Sequence, residues 1–268
     1  MELNIHKIRI FTKDTEESLQ LKKDLAKKLI SHNYEIVEND FDLGIAIGGD
    51  GTFLRMIHTA GFDSNAYYIG INTGTLGFAQ ELRVDQIDEF LDSLKNGVIQ
   101  LEEIGIQETT ITTASQTFVI HSLNEIVIRE EHLKSLTLDV IFNNELLEKF
   151  TGDGILIATS FGSTAYNASL GGSIIDPSFH TLQITPIAPL NSKAYRNLLN
   201  SFIIPENKTI TFIPKSTRSS LLLVTDGFNK TVRNVQKIET VVKDKRVLCL
   251  RLPNYNFIKK INDKLIKG

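Results

Sequence analysis

The chain has 268 residues, 41% hydrophobic and 23% charged, which is enough for two moderate domains or one large one and does not indicate disorder. Lys and Arg number 29 against 32 acidic residues, a net charge of −3, so no bulk electrostatic attraction recruits nucleic acid or an anionic membrane. The one cysteine, Cys249, lies in an apolar run and has no intrachain disulfide partner. No apolar stretch approaches the ~18 residues of a membrane span, and Met1-Glu2-Leu3-Asn4 lacks a basic flank and apolar core. A buried, inert thiol and a cytoplasmic location are expected.

Residues 7–12 (KIRIFT) alternate like a strand, and Asp14 and Glu17 then stand at capping-box spacing, so a helix should start there. Leu19, Leu21, Leu25, Leu29 and Ile30 carry it to about residue 31. Short strands follow at 34–37 and 43–47, then Gly48-Gly49-Asp50-Gly51-Thr52, a helix-like segment at 53–58 and a strand at 67–71 that ends in the turn-rich 72–78. Val84, Ile87, Phe90, Leu91 and Leu94 mark another helix, with Gly97 placed as its stop. Alternating strands and helices predict a Rossmann-like α/β domain over residues 1–99, with a parallel sheet and ligand loops at its strand carboxyl ends.

From about residue 100 the period changes. Strand-like runs at 107–113, 117–121, 124–129, 135–142 and 145–150 are separated by short turns, and later ones fall at 155–159, 182–186, 208–213, 221–225 and 230–235. This predicts an all-β, sandwich-like domain over 100–249, interrupted by one helix at 163–170. The segment 257–267 has helical apolar spacing and four lysines; it reads as a solvated amphipathic helix packed on its own protein or as a phosphate-binding tail.

The glycine loop carries the most chemistry. Between a strand and a helix, glycines let the backbone approach an anion, and the helix N-terminus favours negative charge there. Asp50 is a like charge in such a cradle, so it needs a task such as taking a proton from a hydroxyl or holding a cation against phosphate. The five residues alone fit a tight turn as well. No Lys follows as in a Walker loop, and the loop does not read GxGxxG. A second element, Thr151-Gly152-Asp153-Gly154, leads through a strand into Ser160-Phe161-Gly162-Ser163-Thr164-Ala165-Tyr166-Asn167, which offers either hydroxyls and a ring for a nucleotide or an ordinary N-cap and a core Tyr. Asp226-Gly227 alone reads as a hairpin turn, and Asn124-Glu125 as polar residues at a strand start. The histidines show no HxxH or HExxH spacing and there is no GxSxG elbow, so the metal ligands stay unassigned.

Gly48–Thr52, Gly70–Phe78 (GINTGTLGF), Asn124-Glu125, Thr151–Gly172 and Ile184–Pro189 (ITPIAP), in that order, resemble the bacterial NAD kinases across the whole chain. The resemblance implies transfer of the terminal phosphoryl of ATP, or of inorganic polyphosphate, to the 2′-hydroxyl of the adenosine ribose of NAD, giving NADP. It implies that Asp50 is the base, that Gly48, Gly49, Gly51 and Thr52 hold donor phosphates, and that a divalent metal, Mg²⁺, assists. It places Gly51 beside NAD as well, Phe78 at adenosine, Asn124 and Glu125 at adenine and ribose, Thr164, Ala165 and Tyr166 at adenine, Asp153 and Ala188 at the nicotinamide end, and Ser169 and Asp226 near the nucleotide. It further implies a homodimer or homotetramer with some nucleotide contacts crossing subunits, and a C-terminal segment, 250–268, that returns to the first domain. Thr151 stands where many relatives carry a basic residue, which puts feedback by NADP in doubt. Ser160 replaces a common Pro, which predicts a looser turn.

Overall fold

The computed structural model describes residues 3–74, 77–132, 134–216 and 220–267. In chain order the elements are β1 (Lys7–Thr12), α1 (Glu16–Ser31), β2 (Glu35–Ile36), β3 (Leu43–Gly48), α2 (Asp50–Thr59), β4 (Tyr67–Asn72), β5 (Leu82–Arg83) and α3 (Ile87–Lys95). Then follow β6 (Gln100–Thr113), β7 (Thr117–Ser122), β8 (Glu125–Glu130), β9 (Leu136–Phe142), β10 (Glu145–Gly152), β11 (Gly154–Thr159), α4 (Tyr166–Ser169) and β12 (Thr181–Ile187). The last are β13 (Phe202–Pro205), β14 (Ile210–Pro214), β15 (Ser220–Thr225), β16 (Phe228–Arg233), β17 (Val235–Arg251) and α5 (Phe257–Ile261). The chain divides into two compact units, residues 1–104 with 246–268, and residues 105–245.

In the first unit β1, β2, β3, β4 and β5 are parallel, and the end of β17 joins them in the same sense, Leu248 opposite Tyr67 and Cys249 opposite Tyr68. The order β2-β1-β3-β4 puts the direction reversal of the sheet between β1 and β3, so the loop after β3 lies at a switch point, where open α/β sheets bind ligands. Helix α1 is capped by Thr15, whose hydroxyl accepts the Ser18 N–H at 3.4 Å, rather than by Asp14. Its Leu25 and Leu29 pack with Ile8, Ile45, Ile69 and Phe90 in the core of this unit. Gly97 does end α3, at φ +66°. Cys249 is fully buried, and burial pushes its thiol up to about 12, an inert state.

The second unit is all antiparallel among its described strand pairs. One sheet runs β10-β9-β14-β17 and carries the β6–β7 hairpin; the other runs β13-β12-β11-β8-β15-β16. Side chains of both sheets meet in one core, Leu138, Val140, Phe150 and Phe212 from the first and Ile126, Ile155, Ile184 and Leu223 from the second. That is sandwich packing.

Several elements differ from expectation. Helix α2 starts at Asp50 rather than Phe53, so the acid is in its first turn. The run at 230–235 divides at Asn234, φ +55°, into the end of β16 and the start of β17, and β17, 17 residues long in all, runs through Lys243, Asp244 and Lys245 to Arg251. The helix expected at 163–170 is a 3-10 turn, Phe161–Thr164, and a short α4, broken at Ala165. The closing helix is α5 followed by a π-helical turn, Asn262–Ile266. Among the described residues no helix is long and apolar enough to cross a membrane.

Candidate active site

In the first unit, β3 delivers Gly48 and α2 begins at Asp50 with Gly49 as its N-cap. Gly48 holds φ +150°, and a Cβ there would stand 2.4 Å from the Thr52 hydroxyl, so the turn requires glycine. Gly49 and Gly51 differ: a Cβ on either would meet nothing within 4 Å. Among the described residues, open space therefore lies beside Gly49 and the amides of Asp50 and Gly51 that start α2, while the Thr52 and Phe53 N–H groups already donate to the Gly49 carbonyl; this is a cradle an anion can enter. The Thr52 side chain is buried and its hydroxyl lacks a partner among the described residues, so it supports the turn from within rather than lining the open side.

The Asp50 carboxylate is fixed by backbone amides. The Phe78 N–H donates to Oδ2 at 2.8 Å and the Ala79 N–H to Oδ1 at 3.0 Å. Gly77 is needed for that approach, because a Cβ there would lie 2.8 Å from Oδ1. Gln80 ties the same segment to the loop, donating to the Gly49 carbonyl at 2.7 Å. Phe78 is thus brought to Asp50 through its peptide, while Thr75 and Leu76 of the predicted loop lie outside the described residues.

Behind this stands a buried charge group that no sequence motif marks. The Arg251 guanidinium, almost wholly buried, donates to Glu102 Oε2 at 2.7 Å from Nε and to the Ala79 carbonyl at 3.2 Å from Nη1. Ala79 therefore transmits the position of Arg251 to Asp50. Glu81 faces Arg251 at 3.6 Å and Lys260 at 3.5 Å, and burial raises its carboxyl above the ordinary value against the pull of both cations. These residues are scattered in sequence and each alone reads as a surface charge; only Arg251, ending an apolar strand, gives a hint.

The second unit gathers another group. Asp226 sits at φ +51° and Gly227 at +85° in the β15–β16 turn, so the hairpin reading is right. Its carboxylate also accepts the Leu123 N–H at 2.9 Å and the Asn124 N–H at 2.8 Å. The Asn124 carbonyl accepts the Thr159 N–H at 2.9 Å, and Gly162 packs so closely that a Cβ would stand 2.0 Å from it. Glu125 opens β8, is 6% exposed, and accepts the Tyr166 N–H, while Oε2 has no partner among the described residues. Burial, and then the charge of Asp226, push its carboxyl up to about 8.

The 160–169 segment divides by direction. Ser163 and Asn167 point inward: the Ser163 hydroxyl donates to the Ile175 carbonyl at 3.2 Å, and Asn167 accepts from Thr185 at 2.7 Å. Thr164 and Ala165 are half-buried and Tyr166 and Ser169 exposed, so Tyr166 is not a core residue and Ser163 is not an N-cap. Ser160 is held at the turn by its own side chain. Its hydroxyl bonds the Phe179 carbonyl and Thr181 Oγ1, the latter at 3.1 Å. Thr151 is buried and clamped by Asn197, which accepts its N–H and donates to its carbonyl, both at 3.0 Å.

Asp153 and Ala188 are not brought to Asn124 and Glu125. Gly154 pairs with Arg129 and Ala158 with Glu125, so Asp153 lies just beyond the far end of β11, roughly 17 Å away at ~3.4 Å per residue. Both are exposed, and Ala188 holds φ +44°. Among the described residues no group of three or more His, Cys, Asp or Glu could hold a metal ion by itself.

Residues 4–99 match the model of the ATP-NAD kinase N-terminal domain and residues 123–248 that of the C-terminal domain. An NAD kinase of Finegoldia magna is 37% identical over 256 residues, covering 92% of this chain and 93% of that one. NAD kinase 2 of Bacillus subtilis is 28% identical, covering 95% and 96%. Among solved structures, yeast NADH kinase complexed with NADH superposes with a TM-score of 0.86 at 22% identity, covering 98% of this chain and 88% of that one. An NAD kinase from Archaeoglobus fulgidus in complex with ATP gives 0.73 at 19%, covering 96% and 99%. The fold, the glycine loop with its fixed carboxylate and these matches agree, and the chain belongs to the ATP-NAD kinase family of phosphotransferases.

Proposed function

We propose that the chain transfers the terminal phosphoryl of ATP, or of inorganic polyphosphate, to the 2′-hydroxyl of the adenosine ribose of NAD, forming NADP. The observation that carries the reading is Asp50: a carboxylate held by two backbone amides at the mouth of a glycine loop where, among the described residues, no atom lies within 4 Å of a Cβ added at Gly49 or Gly51. Each carboxylate oxygen keeps lone-pair capacity beyond its amide bond. Asp50 takes the 2′-hydroxyl proton as the oxygen attacks the terminal phosphorus, and the amides at the start of α2 stabilise the donor phosphates. Gly48 and Thr52 shape the loop from inside, and Gly49 and Gly51 keep its open side clear.

The donor set fits a magnesium ion carried in by the phosphates, since Mg²⁺ is usually held by one or two carboxylates plus substrate oxygens, and Asp50 supplies the carboxylate. Such an ion neutralises charge on the transferring group when bound.

On the acceptor side, Asn124 and Glu125 take adenine and ribose, with Asp226 positioning Asn124 by its backbone. Thr164, Ala165 and Tyr166 take adenine beside Ser169, Phe78 and Gly51 meet adenosine, and Asp153 and Ala188 meet the nicotinamide end. Because Asp153 lies at the other end of β11 from Glu125, one dinucleotide must reach both within a chain, or a homodimer or homotetramer supplies the far contact from a second subunit. A cytoplasmic setting is part of the same reading. Incubation with NAD, ATP and Mg²⁺, with glucose-6-phosphate dehydrogenase reporting NADP, tests it: NADP should accumulate, and none with either ATP or polyphosphate would refute it. Turnover of diacylglycerol in place of NAD would favour a lipid kinase.

A further inference from the structure

Lys260 is a buried cation that shares its acid with another. Its side chain is 12% exposed, Glu81 Oε2 stands 3.5 Å from its Nζ and also faces Arg251, and the Tyr255 ring lies 5.1 Å away; among the described residues Nζ has no closer hydrogen-bond partner. An ammonium in this state is costly, and burial together with nearby Arg251 pulls it down to about 8 against the charges of Glu81, Glu102 and Asp50. Arg251, by contrast, is satisfied by Glu102 and Ala79.

Lys260 lines a cavity of about 290 Å³ walled by the C-terminal segment and the β4–β5 region. Four basic residues face it, Arg83, Lys259, Lys260 and Lys264, against two acidic ones, Glu81 and Asp263. Of these, Arg83 pairs with Asp85 at 3.0 Å, and Asp263 with Lys267 at 3.4 Å, so part of each charge is already used. The cavity adjoins the glycine loop on this unit: Asn72, in its wall, is the register partner of Gly48, and Gln80, also in its wall, donates to the Gly49 carbonyl.

We propose that this cavity binds the outer phosphates of a linear phosphoanhydride chain, the part of the donor beyond the phosphoryl held at the glycine loop, with Lys260 as its buried anchor and Lys259 and Lys264 as its outer wall. The inference rests on the donor reading above and adds a second anion site to it. It also gives the C-terminal segment, with its four lysines at 257–267, a task besides packing. Tripolyphosphate and ATP share this chemistry, so both should depend on the lysines.

The test is calorimetric binding of tripolyphosphate, and separately of ATP, to the full chain in the absence of NAD, for the parent, Lys260→Met and the double variant Lys259→Gln with Lys264→Gln. Tripolyphosphate affinity should fall at least tenfold in Lys260→Met and at least threefold in the double variant, whose outer positions leave folding intact by thermal melting. ATP should follow, while NAD affinity stays within twofold. Unchanged tripolyphosphate affinity in the folded double variant, or a loss confined to ATP, overturns the proposal. Parent chain that makes NADP with lysine-independent donor affinity would sink this site and leave the kinase reading standing. Lysine-dependent tripolyphosphate binding by a chain that makes no NADP would do the reverse.

Discussion

Asp50 and Glu125 are both carboxylates in the walls of candidate binding sites, and the fold treats them differently. Asp50 has each oxygen met by a backbone amide, from Phe78 and Ala79, and the Ala79 peptide is itself held by Arg251. Glu125 has one oxygen orphaned in a buried site and a second acid, Asp226, nearby, so its carboxyl is pushed up to about 8. The first arrangement fixes a charged group in one orientation, as a base in a positioned reaction requires. The second keeps a polar atom waiting, as a site that gains its partner from a ligand requires, and its cost falls on the stability of the free protein.

The largest expected effect breaks the first half of that contrast. Asp50→Asn should lower NADP formation by about 10²–10⁴-fold with NAD affinity nearly unchanged, as kcat and calorimetry would register; retained turnover would remove Asp50 as the base. The swap is not silent for folding, because an amide NH₂ must then face the N–H of Phe78 or Ala79, so a lowered Tm is expected as well.

Arg251→Met tests the support behind Asp50. It leaves Glu102 without its guanidinium and releases the Ala79 carbonyl, and denaturant unfolding should show a loss of about 3–5 kcal/mol. A neutral result would mean that Ala79 is held by its own loop.

Glu125→Gln should act in the opposite direction. With the folded carboxyl at about 8 and an ordinary value of 4.5, the native state binds more protons between those two pH values, so parent stability is full below 4.5 and is lost as pH rises through 8. The variant lacks that loss. At pH 9 it should be the more stable protein, by on the order of 3 kcal/mol, while binding NAD more weakly. Parallel stability profiles from pH 4 to 9 would contradict the assignment.

Gly162→Ala sharpens the geometry around Asn124. Its Cβ would collide with the Asn124 carbonyl, so about 2 kcal/mol of stability should go, and NAD affinity with it; an unaffected Tm would show that the two segments separate readily.

The sequence made much of this legible where local pattern and tertiary position coincide. The strand, glycine loop and helix around Asp50 are contiguous, and Gly97 and Asp226-Gly227 act through their own backbone. The long β17 was hidden because charges at 243–246 interrupt the apolar alternation that its two halves keep. Gln80, Arg251 and Lys260 were hidden for another reason: they meet partners distant in the chain, Ala79 lying 172 residues from Arg251 and Glu81 farther still from Lys260, and an isolated polar residue carries no local sign of burial. Phe78 entered through resemblance, and the peptide N–H that it presents to Asp50 has no sequence signature. Thr151 and Ser160 looked like departures, yet each is tied into the unit by hydrogen bonds that its own side chain or backbone makes.

The most direct measurement compares NAD with its analogue lacking the adenosine 2′-hydroxyl, each incubated with ATP and Mg²⁺, the products resolved by mass spectrometry and phosphorus NMR. NAD should yield a single product phosphorylated at the 2′ position and the analogue none. Phosphorylation of the analogue, or a product of NAD carrying its new phosphate elsewhere, would contradict the assignment of Asp50 to the 2′-hydroxyl proton.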